Sequence, residues 1–276
     1  MMNRLTVLAD NNTFIDRYYL GEPAVSYYIE TEEHRILFDT GYSDAAVRNA
    51  GKMGIDLNDT DIIVLSHGHN DHTGGLPYLD QVFDSRKRTL IAHPLCFEKR
   101  REGQTCISSP YGADTVRQKY SFTASEKPYR ISDRCIFLGE IPVSHAFEQR
   151  YSIGMITVKG RETEDYIYDD SALVFETEQG LFIVTGCSHS GICNIVTYAM
   201  KVCGEKRIAG IIGGFHLFET DERLHRTISF LKDLTFLPFL RNNVFLHAVQ
   251  PHFHVIASVK QFLHGDAHSG SSLLQR

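Results

Sequence analysis

Between Leu65 and Leu76 the chain reads Leu-Ser-His-Gly-His-Asn-Asp-His-Thr-Gly-Gly-Leu, which places His67, His69, Asp71 and His72 within six residues. The run before it, Asp61-Ile-Ile-Val-Leu65, is short, apolar and rich in β-branched side chains, so it reads as a buried strand. Gly74-Gly75 marks a turn on the other side. Four polar side chains are thus fixed where a core strand ends. In extended backbone, side chains alternate between faces, so His67 and His69 share a face and can grip one cation. Asp71 and His72 are adjacent, fall in the turn, and can grip a second. Imidazole suits zinc and iron, and a carboxylate adds a harder oxygen ligand. Two cations a few ångströms apart can clamp a water and activate it for attack on phosphorus or carbon. The plain alternative is a solvated histidine loop, which a run this dense at the end of an apolar strand disfavours.

The flanking sequence alternates strands and helices. Leu5–Leu8, Ala24–Ile29, Arg35–Gly41 (ending in a polar turn) and Thr89–Ala92 read as strands, and a helix capped by Ser43 runs to about Met53. A polar insert around 98–130 carries Lys99-Arg100-Arg101. That triplet can hold an anionic substrate group, although a solvated loop face is the commoner role. Cys135–Leu138 is a further strand, and 143–165 reads as an irregular polar loop over the cleft. Strands at 171–176 and 180–184 pair as a hairpin. The second of them leads through Gly186-Cys-Ser-His-Ser-Gly191 into a helix ended by Gly204. His189 therefore repeats the context of the first cluster, between a buried strand and a helix, and is a candidate fifth ligand. His216 ends the strand 207–212 and is a candidate for moving protons near neutral pH. Thr220 caps a helix with Leu224, Ile228, Leu231 and Leu234 on one face. His93 is read as either near the site or structural, and His145 as a surface residue of the 143–165 loop.

A length of 276 residues with 42% hydrophobic content suits one large core or two modest domains; we expect a single domain over 1–276. A formal net charge of -6 argues against nucleic acid as a partner. No apolar leader or membrane-length run is present, so the six cysteines are expected to be reduced thiols of a cytoplasmic protein. A homodimer is left open.

The His-x-His-x-Asp-His run resembles the hallmark of the metallo-β-lactamase superfamily. Phe38-Asp-Thr-Gly41, Gly139-Glu-Ile-Pro142, Gly186-Cys-Ser-His-Ser-Gly-Ile192 and Gly213-Gly-Phe-His-Leu217 resemble one branch of it, the dihydropterin ribofuranosylaminobenzene phosphate synthase-like group. The resemblance implies an α/β fold, an αββα sandwich of two mixed sheets with metals at one edge. It implies two divalent ions (Zn, Fe or Mn), one held by His67, His69 and His189, the other by Asp71, His72 and His252. Asp39 is expected to support the ligands, and Cys187 stands where many members carry a bridging Asp, as a thiolate ligand or a buried thiol. The His-Cys-Thr-Gly that the group carries near its end is missing from 244–255, so His252 is the expected last ligand, with His247 and His254 as alternatives. The implied function is a metal-dependent hydrolase or transferase acting at a phosphate ester or diphosphate centre of a small anionic substrate. A lactonase or thioesterase, and a metal-binding sensor without activity, are the rivals.

Overall fold

A computed structural model describes residues 2–13, 16–236, 244–249 and 252–257. The first half lays down strands β1 (Met2–Ala9), β2 (Ser26–Thr31) and β3 (Arg35–Phe38), then helix α1 (Ala45–Lys52) and β4 (Ile62–Val64). Helices α2 (Asn70–Thr73) and α3 (Leu76–Val82) lead to β5 (Thr89–Ala92). Strands β6 (Lys99–Glu102) and β7 (Thr105–Cys106), helix α4 (Ala113–Lys119) and β8 (Ser121–Ala124) complete that half. The second half contains β9 (Tyr129–Ser132), β10 (Cys135–Phe137), β11 (Met155–Val158), β12 (Arg161–Glu164), β13 (Ala172–Thr177) and β14 (Gly180–Thr185). Helix α5 (Ile192–Cys203), β15 (Arg207–Ile212), α6 (Glu222–Asp233), β16 (Thr235–Phe236), β17 (Val244–Val249) and β18 (His252–Ala257) follow.

Two six-stranded sheets form, ordered β1-β2-β3-β4-β5-β8 and β16-β15-β14-β13-β10-β9. Both are mixed: β3, β4, β5 and β8 run parallel, as do β14, β15 and β16, and the remaining pairs are antiparallel. The alternation of side chains assigns each strand residue to one of two layers. Ile36, Phe38, Ile62 and Val64 meet Phe137, Phe175, Phe182 and Val184 between the sheets. Their neighbours Leu37 and Ile63 face α1, α3 and α4, together with Ala46, Leu79 and Val116. On the far side, Leu181 and Ile183 pack on Ile195 and Val196 of α5 and Leu224 and Leu231 of α6. Helix, sheet, sheet, helix is the layer order that the family resemblance implies.

Three local details differ from the sequence reading. Helix α1 has Asp44 at its N-cap, and Ser43 Oγ accepts from the Ala45 N–H one step outside. Helix α6 is capped by Asp221, whose Oδ1 accepts from Leu224 N at 2.9 Å, because the chain turns one residue after Thr220. The polar stretches 98–130 and 143–165 are largely structured. From them β12, β11, β6 and β7 make a small antiparallel sheet, and β8 returns to the first large sheet.

Candidate metal centre

Parallel strands place their C-terminal ends at one edge, and there the chemistry-bearing residues collect. Asp39 follows β3, His67 follows β4, Cys187 and His189 follow β14, and His216 follows β15. Asp169 and Asp170 precede β13, which runs antiparallel and so begins at the same edge.

The nitrogens of His67, His69 and His189 lie within 4.8 Å of one another. Their rings sit 4.7 to 5.1 Å apart, centroid to centroid, and are nearly perpendicular. All three are buried, yet both ring nitrogens of His189 and Nε2 of His69 lack any hydrogen-bond partner. An orphaned buried nitrogen is costly, and three imidazoles gathered this closely fit a cation that one nitrogen of each ring would ligate. A second group, His67, His72 and Cys187, also has its donor atoms within 4.8 Å. His72 Nε2 is 3.0 Å from Cys187 Sγ and 3.3 Å from Asp71 Oδ2. Of the second ion's expected ligands, Asp71 and His72 are thus adjacent, with Cys187 beside them. His252 opens β18, but its side chain, like those of His247 and His254, lies outside the described residues.

Asp39 holds this arrangement from beneath. Its Oδ2 lies 2.7 Å from His72 Nδ1 and accepts from Ser66 Oγ at 2.7 Å, while Oδ1 accepts from Ser66 N at 2.7 Å. Tying up Nδ1 leaves Nε2 of His72 as its ligand atom. Asp39 does this with φ of +54°, a left-handed backbone uncommon outside glycine. Ser66 Oγ also lies 3.0 Å from His67 Nδ1, so one hydroxyl orients two imidazoles' neighbours. Behind the loop, Asp169 Oδ2 accepts from Gly68 N at 2.8 Å, and Arg100 donates to Asp169 and Asp165 at 2.7 Å each. A Cβ on Gly68 would overlap the Cys96 carbonyl and the Arg100 guanidinium, so the tight seat requires glycine.

Both arginines of the basic triplet are therefore already engaged. Arg100 is buried in its acidic pair, Arg101 pairs with Glu162, and Lys99 is exposed. His93 Nδ1 accepts from Leu95 N, and His145 bonds Thr197, so both are structural. The His216 ring lies tilted, its centre 4.4 Å from that of His189, and its Nδ1 meets Tyr151 Oη at 2.6 Å. Ser66 and Tyr151 escaped the sequence reading, as did the pairing of Arg100 with Asp169. Asn11, Pro23, Ala24 and Val25 wall a cleft whose floor is Asp71, His72, Cys187 and His216.

Burial depresses the pKa of His67, His69 and His189, so these imidazoles stay neutral. Burial pulls His72 the same way, but Cys187, Asp71 and Asp39 outweigh it and raise its pKa. Asp71 is lowered to about 2, because His72 and His69 overcome its burial. The sign of the pH dependence follows. For the three depressed histidines the unfolded chain binds more protons below about pH 6.5, so their contribution is lost as pH falls through that value. His72 works the other way, its contribution being full below about pH 6.5 and lost as pH rises through its folded pKa. Three against one predicts that chelator-treated protein melts at a lower temperature at pH 5 than at pH 7. The drop should shrink in His189→Ala; an equal drop in that variant would remove the cluster as its cause.

A double-sheet sandwich with two facing donor groups at one strand edge defines a metallo-β-lactamase-fold protein. A model of the metallo-β-lactamase superfamily matches residues 20–104. Over 246 residues the chain is 31% identical to the 7,8-dihydropterin-6-methyl-4-(β-D-ribofuranosyl)-aminobenzene-5′-phosphate synthase of Methanocaldococcus jannaschii, covering 84% of this chain and 83% of that one. An uncharacterized protein of the same organism is 31% identical over 238 residues, 84% of this chain and 87% of its own. The crystal structure of a metal-dependent hydrolase of the β-lactamase superfamily superposes with a TM-score of 0.70 at 26% identity, covering 86% and 85% of the two chains. The chain belongs to the metallo-β-lactamase superfamily, in its dihydropterin ribofuranosylaminobenzene phosphate synthase-like branch. Among the described residues no helix is long and apolar enough to cross a membrane.

Proposed function

We propose that this protein is a binuclear metal-dependent hydrolase or transferase acting at a phosphate ester or diphosphate centre of a small anionic substrate. The observation that carries the reading is the pair of donor groups sharing His67, in a chain 31% identical to a phosphate synthase. His67, His69 and His189 would hold one ion. His72 and Asp71 would hold the other, with Cys187 and His252 as further candidates. A bound divalent ion supplies Lewis-acid charge that polarises a phosphoryl or carbonyl oxygen. The chain's own residues do the rest. Asp39 and Ser66 fix the imidazole orientations before substrate arrives, which lowers the cost of ordering the site. Asp71, about a quarter exposed and ionised at neutral pH, faces the cleft and can take a proton from an incoming nucleophile. His216, braced by Tyr151, can pass a proton to a leaving group.

The cleft supports a second reading. Pro23, Ala24 and Val25 form an apolar wall, and no Lys or Arg lines this cleft. Such a wall suits the acyl chain of a lactone or thioester. Purified protein should carry two equivalents of Zn, Fe or Mn by elemental analysis and turn over phosphodiester or diphosphate substrates. Turnover confined to lactones or thioesters would select the second reading, and a metal-free, inactive protein would reject both.

A further inference from the structure

A phosphate substrate carries charge beyond what its reacting oxygen gives to the metals, and the two arginines of the basic triplet cannot receive it. Arg100 and Arg101 are ion-paired. Arg150 is spent on the carbonyls of Ile141, Tyr166 and Ile167. Arg226, on the first turns of α6, pairs with Glu222. Arg223 differs from all of these. Among the described residues no carboxylate pairs with it, and its Nε is buried without a hydrogen-bond partner. Its guanidinium lies 5.8 Å from the centre of the Tyr151 ring. Tyr151 in turn places its hydroxyl 2.6 Å from His216 Nδ1, and the His216 ring lies 4.4 Å from that of His189. A chain of contacts thus runs from the donor cluster through Tyr151, which Arg223 hydrogen-bonds, to a guanidinium that no described carboxylate neutralises.

We propose that Arg223 and Tyr151, beside His216, form the seat for a phosphate-class oxyanion of the substrate at the rim of the metal centre. The assignment deepens the metal-dependent reading above and rests on it. A guanidinium presents a planar fork of N–H donors that matches phosphate oxygens. The buried Nε–H without an acceptor shows that the fold leaves this guanidinium's hydrogen bonding incomplete, and the residue is half-buried rather than enclosed. Arg223 also stands in the first turn of the 12-residue α6, where the helix dipole favours negative charge. The Asp221 carboxylate nearby is engaged in capping, accepting from Leu224 N. Burial raises the Tyr151 pKa against the pull of Arg223, with Cys187 adding to the rise, so the hydroxyl stays protonated. When His216 Nδ1 carries the ring proton and donates it to Tyr151, the phenolic hydrogen is left to point at the anion. His216 keeps this position with φ of +49°, a strained backbone of the kind that gathers at functional sites.

The test is calorimetric titration of inorganic phosphate, and separately of acetate, into wild type, Arg223→Gln, Arg223→Lys and Tyr151→Phe. Each is measured as purified and after chelation, with metal content and melting temperature recorded. We expect Arg223→Gln to weaken phosphate binding about tenfold or more, consistent with loss of a charge-assisted pair. Arg223→Lys should fall between, and Tyr151→Phe should lose less. Metal content and melting temperature should not move. The Arg223-dependent loss should persist after chelation. If it persists while metal removal changes nothing else, the seat stands and the metal-dependent reading loses support. Equal phosphate binding by wild type and Arg223→Gln, no phosphate binding by either preparation of wild type, or acetate binding as tight as phosphate would each overturn the seat.

Discussion

Replacing His67 with alanine will empty the metal centre and lower turnover by more than about 100-fold, since even the outer partners of metal ligands are each worth about 10–100-fold. The reason is position. His67 is the one residue common to both donor groups, so its loss breaks the His67–His69–His189 trio and the His67–His72–Cys187 trio together. Neighbouring rings lie 4.2 to 4.7 Å from it, and none can swing across to replace it without leaving its own seat. His69→Ala, which touches only the first trio, should lose metal in part. Elemental analysis of the two variants, with far-ultraviolet circular dichroism as a folding control, separates the cases. Retention of the wild-type metal content by folded His67→Ala would refute the assignment.

The sequence made the first cluster legible because its members are contiguous. Strand alternation and one turn are enough to place His67, His69 and His72 at an edge, and the buried run 61–65 fixes which edge. His189 was legible for a related reason, a polar tripeptide between a continuous apolar strand and a helix. The element pattern spoke only for mixed α/β layering, and the order of the layers came from the family resemblance, with which strands apolar throughout, such as Ile62–Val64, agree because they must be covered on both faces. What escaped was pairing across distance. Arg100 meets Asp165 and Asp169 from 65 and 69 residues away, and no local pattern announces that. A weaker signal did exist. In a strand, Lys99 and Arg101 face one side and Arg100 the other, and the structure buries Arg100 alone of the three. Reading 98–130 as a polar insert hid that alternation. The same holds for β11 and β12, joined at Lys159-Gly160 with φ of +50° and +78°. That is the turn geometry of a two-residue hairpin, and Met155-Ile-Thr-Val followed by Lys-Gly was its sequence sign.

Arg100→Met carries the largest expected effect on stability. The guanidinium is fully buried, donates Nε–H to Asp165 and an Nη–H to Asp169, and those carboxylates are 2% and 0% exposed. Methionine fills much of the space of the arginine stem but leaves two buried carboxylates with no counter-charge. Removing one partner of a buried pair costs about 3–5 kcal/mol, and here one cation serves two anions. We therefore expect a loss at the upper end of that range, seen as a fall in denaturation midpoint at unchanged slope. The effect should reach the site as well. Asp169 Oδ2 anchors Gly68 N, between His67 and His69, so a carboxylate that protonates or turns toward solvent releases the segment that aims both imidazoles. Metal occupancy should fall with stability, although Arg100 touches no ligand. Adding Asp165→Asn and Asp169→Asn to Arg100→Met removes the stranded charges and should recover most of the stability, while the weaker anchor at Gly68 keeps metal occupancy low. A change below about 1 kcal/mol in the single variant, the range of an exposed ion pair, would mean that the trio is wetted and does not hold the loop.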